Sequence, residues 1–206
     1  MTQIVLPLPH ASAGPARIVL GKGNAHVAEA LARPESWPFR TAVLTGPPRS
    51  GKSLFVRWFS ESGQSAQRGD AIDDAQALDE AELFHRWNRA QEDGRPLLVV
   101  AGEPPWEIAL PDLKSRLGAA LQLEIGPPDD AQAAELVMAL AQERGLPLGG
   151  DAAAYLVSRA ERSYLQLERL VEAIDRLSLE RKVPPTLAIW RAALEAVQGP
   201  EEPRLL

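Results

Sequence analysis

Cysteine is absent from the 206 residues, which excludes disulfide staples, thiolate nucleophiles and Cys-ligated metal sites. Histidine is scarce, and His10, His26 and His85 are too scattered to describe a metal centre. No apolar run approaches the ~18 residues that a membrane-spanning helix needs, so no membrane partner is expected. No basic segment leads into an apolar core at the N-terminus, so no secretory signal is read and the expected location is cytoplasmic. Positive charge is in deficit: 22 Lys and Arg stand against 28 Asp and Glu, a net charge of −6. A surface that neutralises many phosphates would have the opposite balance, so direct sequence-specific DNA binding is not expected. Internal repeats and low-complexity tracts are also missing.

What remains is ordinary globular material. Hydrophobic residues make up 45% of the chain, enough for a real core, and the length suits one α/β domain with a modest second domain.

The most informative stretch is Gly46-Pro47-Pro48-Arg49-Ser50-Gly51-Lys52-Ser53, which fits the P-loop pattern G-x-x-x-x-G-K-[ST]. It follows the apolar run Thr41-Ala42-Val43-Leu44-Thr45 and precedes Leu54-Phe55-Val56-Arg57-Trp58-Phe59, so it reads as strand, loop and helix. Gly46 permits a sharp exit from the strand, and Gly51 keeps side chains away from phosphate. Backbone N–H groups at the start of the helix face the anion, and the helix dipole favours negative charge there. Lys52 adds a positive charge near the outer phosphates, and the Ser53 hydroxyl can ligate Mg²⁺. The expected ligand is ADP or ATP with Mg²⁺, held by residues Gly46 through Leu54.

Taken in order, the chain begins with MTQIVLPLPHAS, apolar and punctuated by Pro7 and Pro9, which forbid a helix. Two readings stand: an edge strand on this protein's own core, or a peptide that docks in a partner's groove. Residues 17–20 form a short extended piece, and Asn24 is placed to cap a helix over 25–32. After the P-loop helix, Ser62-Gly63 breaks the chain, and 66–72 is a weak strand. Asp79 caps a helix with Leu83, Phe84, Trp87 and Ala90 on one face, stopped near Gly94. The continuous apolar run 96–101 predicts a strand buried on both faces. A helix over 112–119 and a strand over 121–125 follow. This alternation implies a mostly parallel sheet with crossover helices.

At Gly126-Pro127-Pro128 the pattern becomes helical, which divides the chain into a P-loop α/β domain over 13–126 and a helical domain over 127–206. Helices are expected over 129–144, 151–161, after Ser163 and after Thr186. The third carries Leu167, Leu170, Val171, Ile174 and Leu177 on one stripe.

A P-loop domain followed by a small helical lid resembles the AAA+ plan, and several stretches resemble its DnaA/Hda branch. Asp70-Ala71-Ile72-Asp73-Asp74-Ala75-Gln76 is similar to the Walker B segment of the replication initiator DnaA. Leu98 to Pro105 resembles the sensor I strand with its trailing Pro-Pro, and Leu113-Lys114-Ser115-Arg116-Leu117 the box that supplies an arginine finger. Pro127-Pro128-Asp129 is similar to the linker into the lid. Gln3-Ile4-Val5-Leu6-Pro7-Leu8 resembles the clamp-binding Q-x-x-L-P-L peptide of Hda proteins, in which Gln3, Leu6, Pro7 and Leu8 would make the contacts. The branch's DNA-reading helix-turn-helix domain has no counterpart after Val197.

The resemblance implies a regulator of chromosomal replication initiation. Such a protein is nucleotide-bound, docks on the DNA polymerase III β sliding clamp and stimulates hydrolysis of DnaA-bound ATP. Arg116 would be the finger acting in trans, Asp73 would hold Mg²⁺ with Ser53, and Asp74 would orient water. Homo-oligomers are possible in such a family. Two departures from the pattern imply weak turnover: the sensor I polar residue falls at Gly102, and the sensor II arginine at Leu165, flanked by Arg162 and Arg169. The competing expectations are a stand-alone P-loop ATPase and a DnaA-like loader.

Overall fold

A computed structural model describes residues 17–61 and 69–199. The readings made for the N-terminal segment, including Gln3, Leu6, Pro7 and Leu8, lie outside the described residues. So do those for Ser62-Gly63, for residues 66–68 and for the tail beyond Gly199. The chain divides into two compact units between Gly126 and Pro127.

The first unit is built on four parallel strands: β1 (Thr41–Thr45), β2 (Asp70–Ile72), β3 (Leu97–Val100) and β4 (Leu121–Glu124). Their spatial order is β2-β3-β1-β4, with Val43 opposite Val99 on one side and Gln122 on the other. The apolar runs predict the central pair correctly. Leu97, Leu98, Val99 and Val100 are all fully buried, as a strand covered on both faces requires. β2 is short and opens on a half-exposed Asp70, the physical content of its weak pattern.

Four helices accompany the sheet: α1 (Ala25–Leu31), α2 (Lys52–Glu61), α3 (Glu80–Glu92) and α4 (Pro111–Gly118). Asp79 caps α3 as expected, its Oδ1 accepting from the N–H groups of Ala81 and Glu82 at 3.0 and 3.1 Å. Leu83, Trp87 and Ala90 are buried with Val43, Ile72, Leu113 and Leu117 in one apolar cluster. Asn24 occupies the cap position of α1 but does not cap it. Its buried side chain accepts from Gly21 N–H at 2.9 Å and donates to Val19 O at 3.0 Å, closing the turn before the helix.

The second unit contains α5 (Asp130–Glu143), α6 (Gly150–Val157), α7 (Tyr164–Arg181) and α8 (Leu187–Gln198). Asp129 and Ser163 cap α5 and α7 through the N–H groups of Gln132 and Gln166. The predicted stripe on α7 is real: Leu167, Leu170, Val171 and Ile174 are buried against Val137, Leu156 and Ala193. α6 ends four residues earlier than its sequence suggests. The Ser158 hydroxyl donates to Tyr155 O at 2.9 Å, and such local bonding competes with helix continuation.

Candidate nucleotide site

Because β1, β2 and β3 are parallel and adjacent, the loops leaving their carboxyl ends meet on one edge of the sheet. Ligands of open α/β sheets bind at that edge. The loop after β1 is Gly46–Gly51. Gly46 has φ +156, and a Cβ there would lie 2.9 Å from Ile125 Cβ, so close approach of the segment after β4 requires glycine. Arg49 has φ +65, a left-handed conformation that costs a side-chain-bearing residue roughly 1–2 kcal/mol. The Ser50 hydroxyl is buried in this loop without a hydrogen-bond partner.

Lys52 opens α2 and reaches back across the loop, its Nζ donating to Gly46 O at 2.6 Å and Pro47 O at 2.9 Å. Burial pushes its pKa below the ordinary lysine value, and the carboxylates of Asp73, Glu103 and Asp74 oppose that shift. In the loop after β2, Asp73 Oδ1 accepts from Asp74 N–H at 3.0 Å. Asp74 is left-handed at φ 51 and turns the chain into a short 3₁₀ helix, Ala75–Ala77. The loop after β3 is tied to β1 at both ends, with Ala101 N–H donating to Leu44 O and Gly46 N–H donating to Gly102 O.

These three loops enclose a cleft of about 540 Å³. Lys52 and Ser53 line it from the first loop, Asp73, Asp74 and Gln76 from the second, and Gly102 and Glu103 from the third. Gly46 and Pro48 also line it; Pro47, Arg49, Ser50, Gly51 and Leu54 complete the same loop and helix start without doing so. One cation, a hydroxyl and three carboxylates thus share a space that fits a phosphate chain with a hard cation. Ser53 and Asp73 offer the oxygen donors that Mg²⁺ takes beside phosphate and water. No cluster of three His, Cys, Asp or Glu placed for a metal occurs among the described residues, so a protein-only cage is absent there.

Arg116 lies elsewhere, on α4. Its guanidinium stacks 4.8 Å from the Phe84 ring centre and 4.3 Å from that of Trp87, and donates to Asn88 Oδ1 at 2.9 Å. Packed against α3 in this way, Arg116 is half-buried. In the helical unit, Leu165 is half-buried, Arg169 is exposed, and Arg162 pairs with Asp130 at 3.0 Å. Sequence reasoning assigned no role to Gln76 or Glu103, which line the cleft. The only local signal was their position just beyond Asp73-Asp74 and Gly102.

Comparison with known proteins places these features. Residues 129–188 match the family model described as Hda, lid domain. A curated relative, an uncharacterised protein of Haemophilus influenzae, is 27% identical over 168 residues, covering 78% of this chain and 71% of its own length. Domain III of the Thermotoga maritima replication initiation protein DnaA superposes with a TM-score of 0.69 at 15% identity, covering 88% of this chain and 95% of that one. AMPPCP-bound DnaA from Aquifex aeolicus gives 0.57 at 17% identity, covering 79% and 65%. The α/β unit therefore has the fold of the AAA+ domain of DnaA, and residues 129–188 of the helical unit match an Hda-type lid. No helix among the described residues is long and apolar enough to cross a membrane.

Proposed function

We propose that this chain, with the fold of the DnaA AAA+ domain and a match to the Hda lid over residues 129–188, is an Hda-like, nucleotide-bound regulator of replication initiation. The observation that carries this reading is the convergence of Lys52, Ser53, Asp73 and Asp74 on one cleft at the carboxyl edge of the sheet. The P-loop N–H groups and Lys52 hold the phosphates of ADP or ATP, and Ser53 and Asp73 hold Mg²⁺. When bound, the metal neutralises charge on the phosphates. Asp74, which lines the cleft, would orient water, but position 102 carries no side chain and position 165 no charge. Catalysis of phosphoryl transfer rests on such positioned polar groups, so the protein binds nucleotide better than it hydrolyses it.

In this reading residues 127–206 are the lid of the nucleotide domain. Gln3, Leu6, Pro7 and Leu8 dock on the sliding clamp, and Arg116 acts on ATP held by DnaA. A guanidinium suits that task because its charge is permanent and its fork matches phosphate oxygens.

The test is hydrolysis of DnaA-bound ATP with and without the protein and DNA-loaded clamp. The parent stimulates, and Arg116→Ala loses stimulation, within the roughly 10³–10⁵-fold that arginine fingers supply in GTPases. Arg116→Lys restores little. Full stimulation by Arg116→Ala would refute the finger assignment, and no stimulation by the parent would refute the adaptor reading as a whole.

A further inference from the structure

Gly102 offers no side chain at the position where the resemblance to sensor I implies a polar one, yet the space is filled. β2 and β3 are neighbours, so the loops that follow them run side by side. The left-handed turn at Asp74 and the 3₁₀ helix after it bring Gln76 against Gly102. The Gly102 N–H donates to Gln76 Oε1. A Cβ added at Gly102 would lie 2.9 Å from Gln76 Nε2 and 3.2 Å from Oε1. The carboxamide therefore occupies the volume that a side chain at residue 102 would need.

The bond to Gly102 also fixes the amide's orientation. Because Oε1 accepts from that N–H, both hydrogens of Nε2 are left to donate to another partner. Gln76 lines the cleft together with Lys52, Ser53, Asp73 and Asp74.

We propose that Gln76 reads the third phosphate, its Nε2 donating to a terminal oxygen of a nucleoside triphosphate. This deepens the nucleotide reading of the cleft and rests on it. Three carboxylates, Asp73, Asp74 and Glu103, face the same space, so each added phosphate charge meets repulsion there. A neutral donor offsets part of that repulsion without competing for the metal. It also carries no charge to stabilise the transition state, which agrees with binding that outruns hydrolysis. Gly102 is then the residue that makes room for the reader.

Calorimetric titration of the full chain with Mg²⁺ and either ADP or a non-hydrolysable ATP analogue tests this. Gln76→Glu keeps the acceptor for Gly102 N–H and replaces the donor by a charge. ADP affinity should stay within about twofold while the analogue weakens more than about tenfold. Gln76→Ala should weaken the analogue by about fivefold to tenfold. Adding Gly102→Asn to Gln76→Ala, where the space is now clear, should return most of that loss. A purely structural Gln76 would lower both ligands together in Gln76→Ala and neither in Gln76→Glu, and either pattern overturns the proposal. A parent that binds neither nucleotide overturns the cleft reading and this one with it; a parent that binds both, with unselective variants, overturns this one alone.

Discussion

Among the described residues of the α/β unit, Phe39, Arg40, Arg49 and Asp74 take left-handed φ without being glycine; in the helical unit only Lys182 does. Lys182 is the residue after α7, where a left-handed turn is the ordinary way to end a helix. Arg49 and Asp74 instead stand inside the loops that build the cleft, each between a strand and the helix that follows it. The two units also use polar side chains differently. In the helical unit Asp129 and Ser163 cap helices around one apolar cluster. In the other, the side chains of Lys52, Asp73 and Gln76 bond to loop backbone. Backbone strain and loop-directed hydrogen bonds are what a fold retains where it must hold a ligand. The lid, by contrast, is held by packing.

That contrast can be broken in the lid first. Ile174 is fully buried, so Ile174→Ala should lower unfolding free energy by about 2–5 kcal/mol in denaturant titration. If the lid serves the site only as a packed body, the folded variant should bind ADP within about twofold of the parent. A matching loss of affinity would mean that the core of one unit sets the geometry of the other.

The converse change is Lys52→Ala. It removes a charge-assisted contact worth about 1.5–3 kcal/mol, so ADP affinity should fall roughly tenfold to a hundredfold by calorimetry. Thermal stability should hold or rise slightly, because the ammonium is desolvated in the fold. A variant that melts far below the parent would mean that Lys52 is structural, and the contrast between the units would fail.

The smallest effect concerns pH. Burial raises the Tyr164 hydroxyl from the ordinary 10.0 to about 12. The folded state therefore keeps this proton where the unfolded chain loses it. Its stabilisation is whole below pH ~10 and declines as pH rises towards ~12. Tyr164→Phe should flatten that decline in urea midpoints measured across the window; an unchanged slope would place the titration elsewhere.

Legibility in the sequence divides along the same line. The central strands, the α3 cap at Asp79 and the α7 stripe follow from local rules, since apolar runs, caps and periodicity act within a few residues. The P-loop is legible because its chemistry is written in consecutive positions. Gln76 against Gly102 is not, since 26 residues separate them and only the pairing of β2 with β3 brings them together. Nor is the seat of Arg116, which depends on how α3 packs beside α4. Asn24 illustrates the reverse error: the residue type was right for a cap, but the chain from 19 to 21 claimed its side chain first.

The strand order has a further consequence, in time rather than in space. β1 pairs with β3 on one side and β4 on the other, so its hydrogen bonds wait on segments far downstream. On a growing chain the P-loop is made early, but the strand that carries it has no permanent neighbour until Leu97, and is not enclosed until Leu121. Long-range parallel pairing is slow, whereas the helices of the lid contact near neighbours along the chain. The nucleotide cleft is thus among the last parts of the first unit to become permanent, and the lid, though synthesised later, meets the lower kinetic barrier.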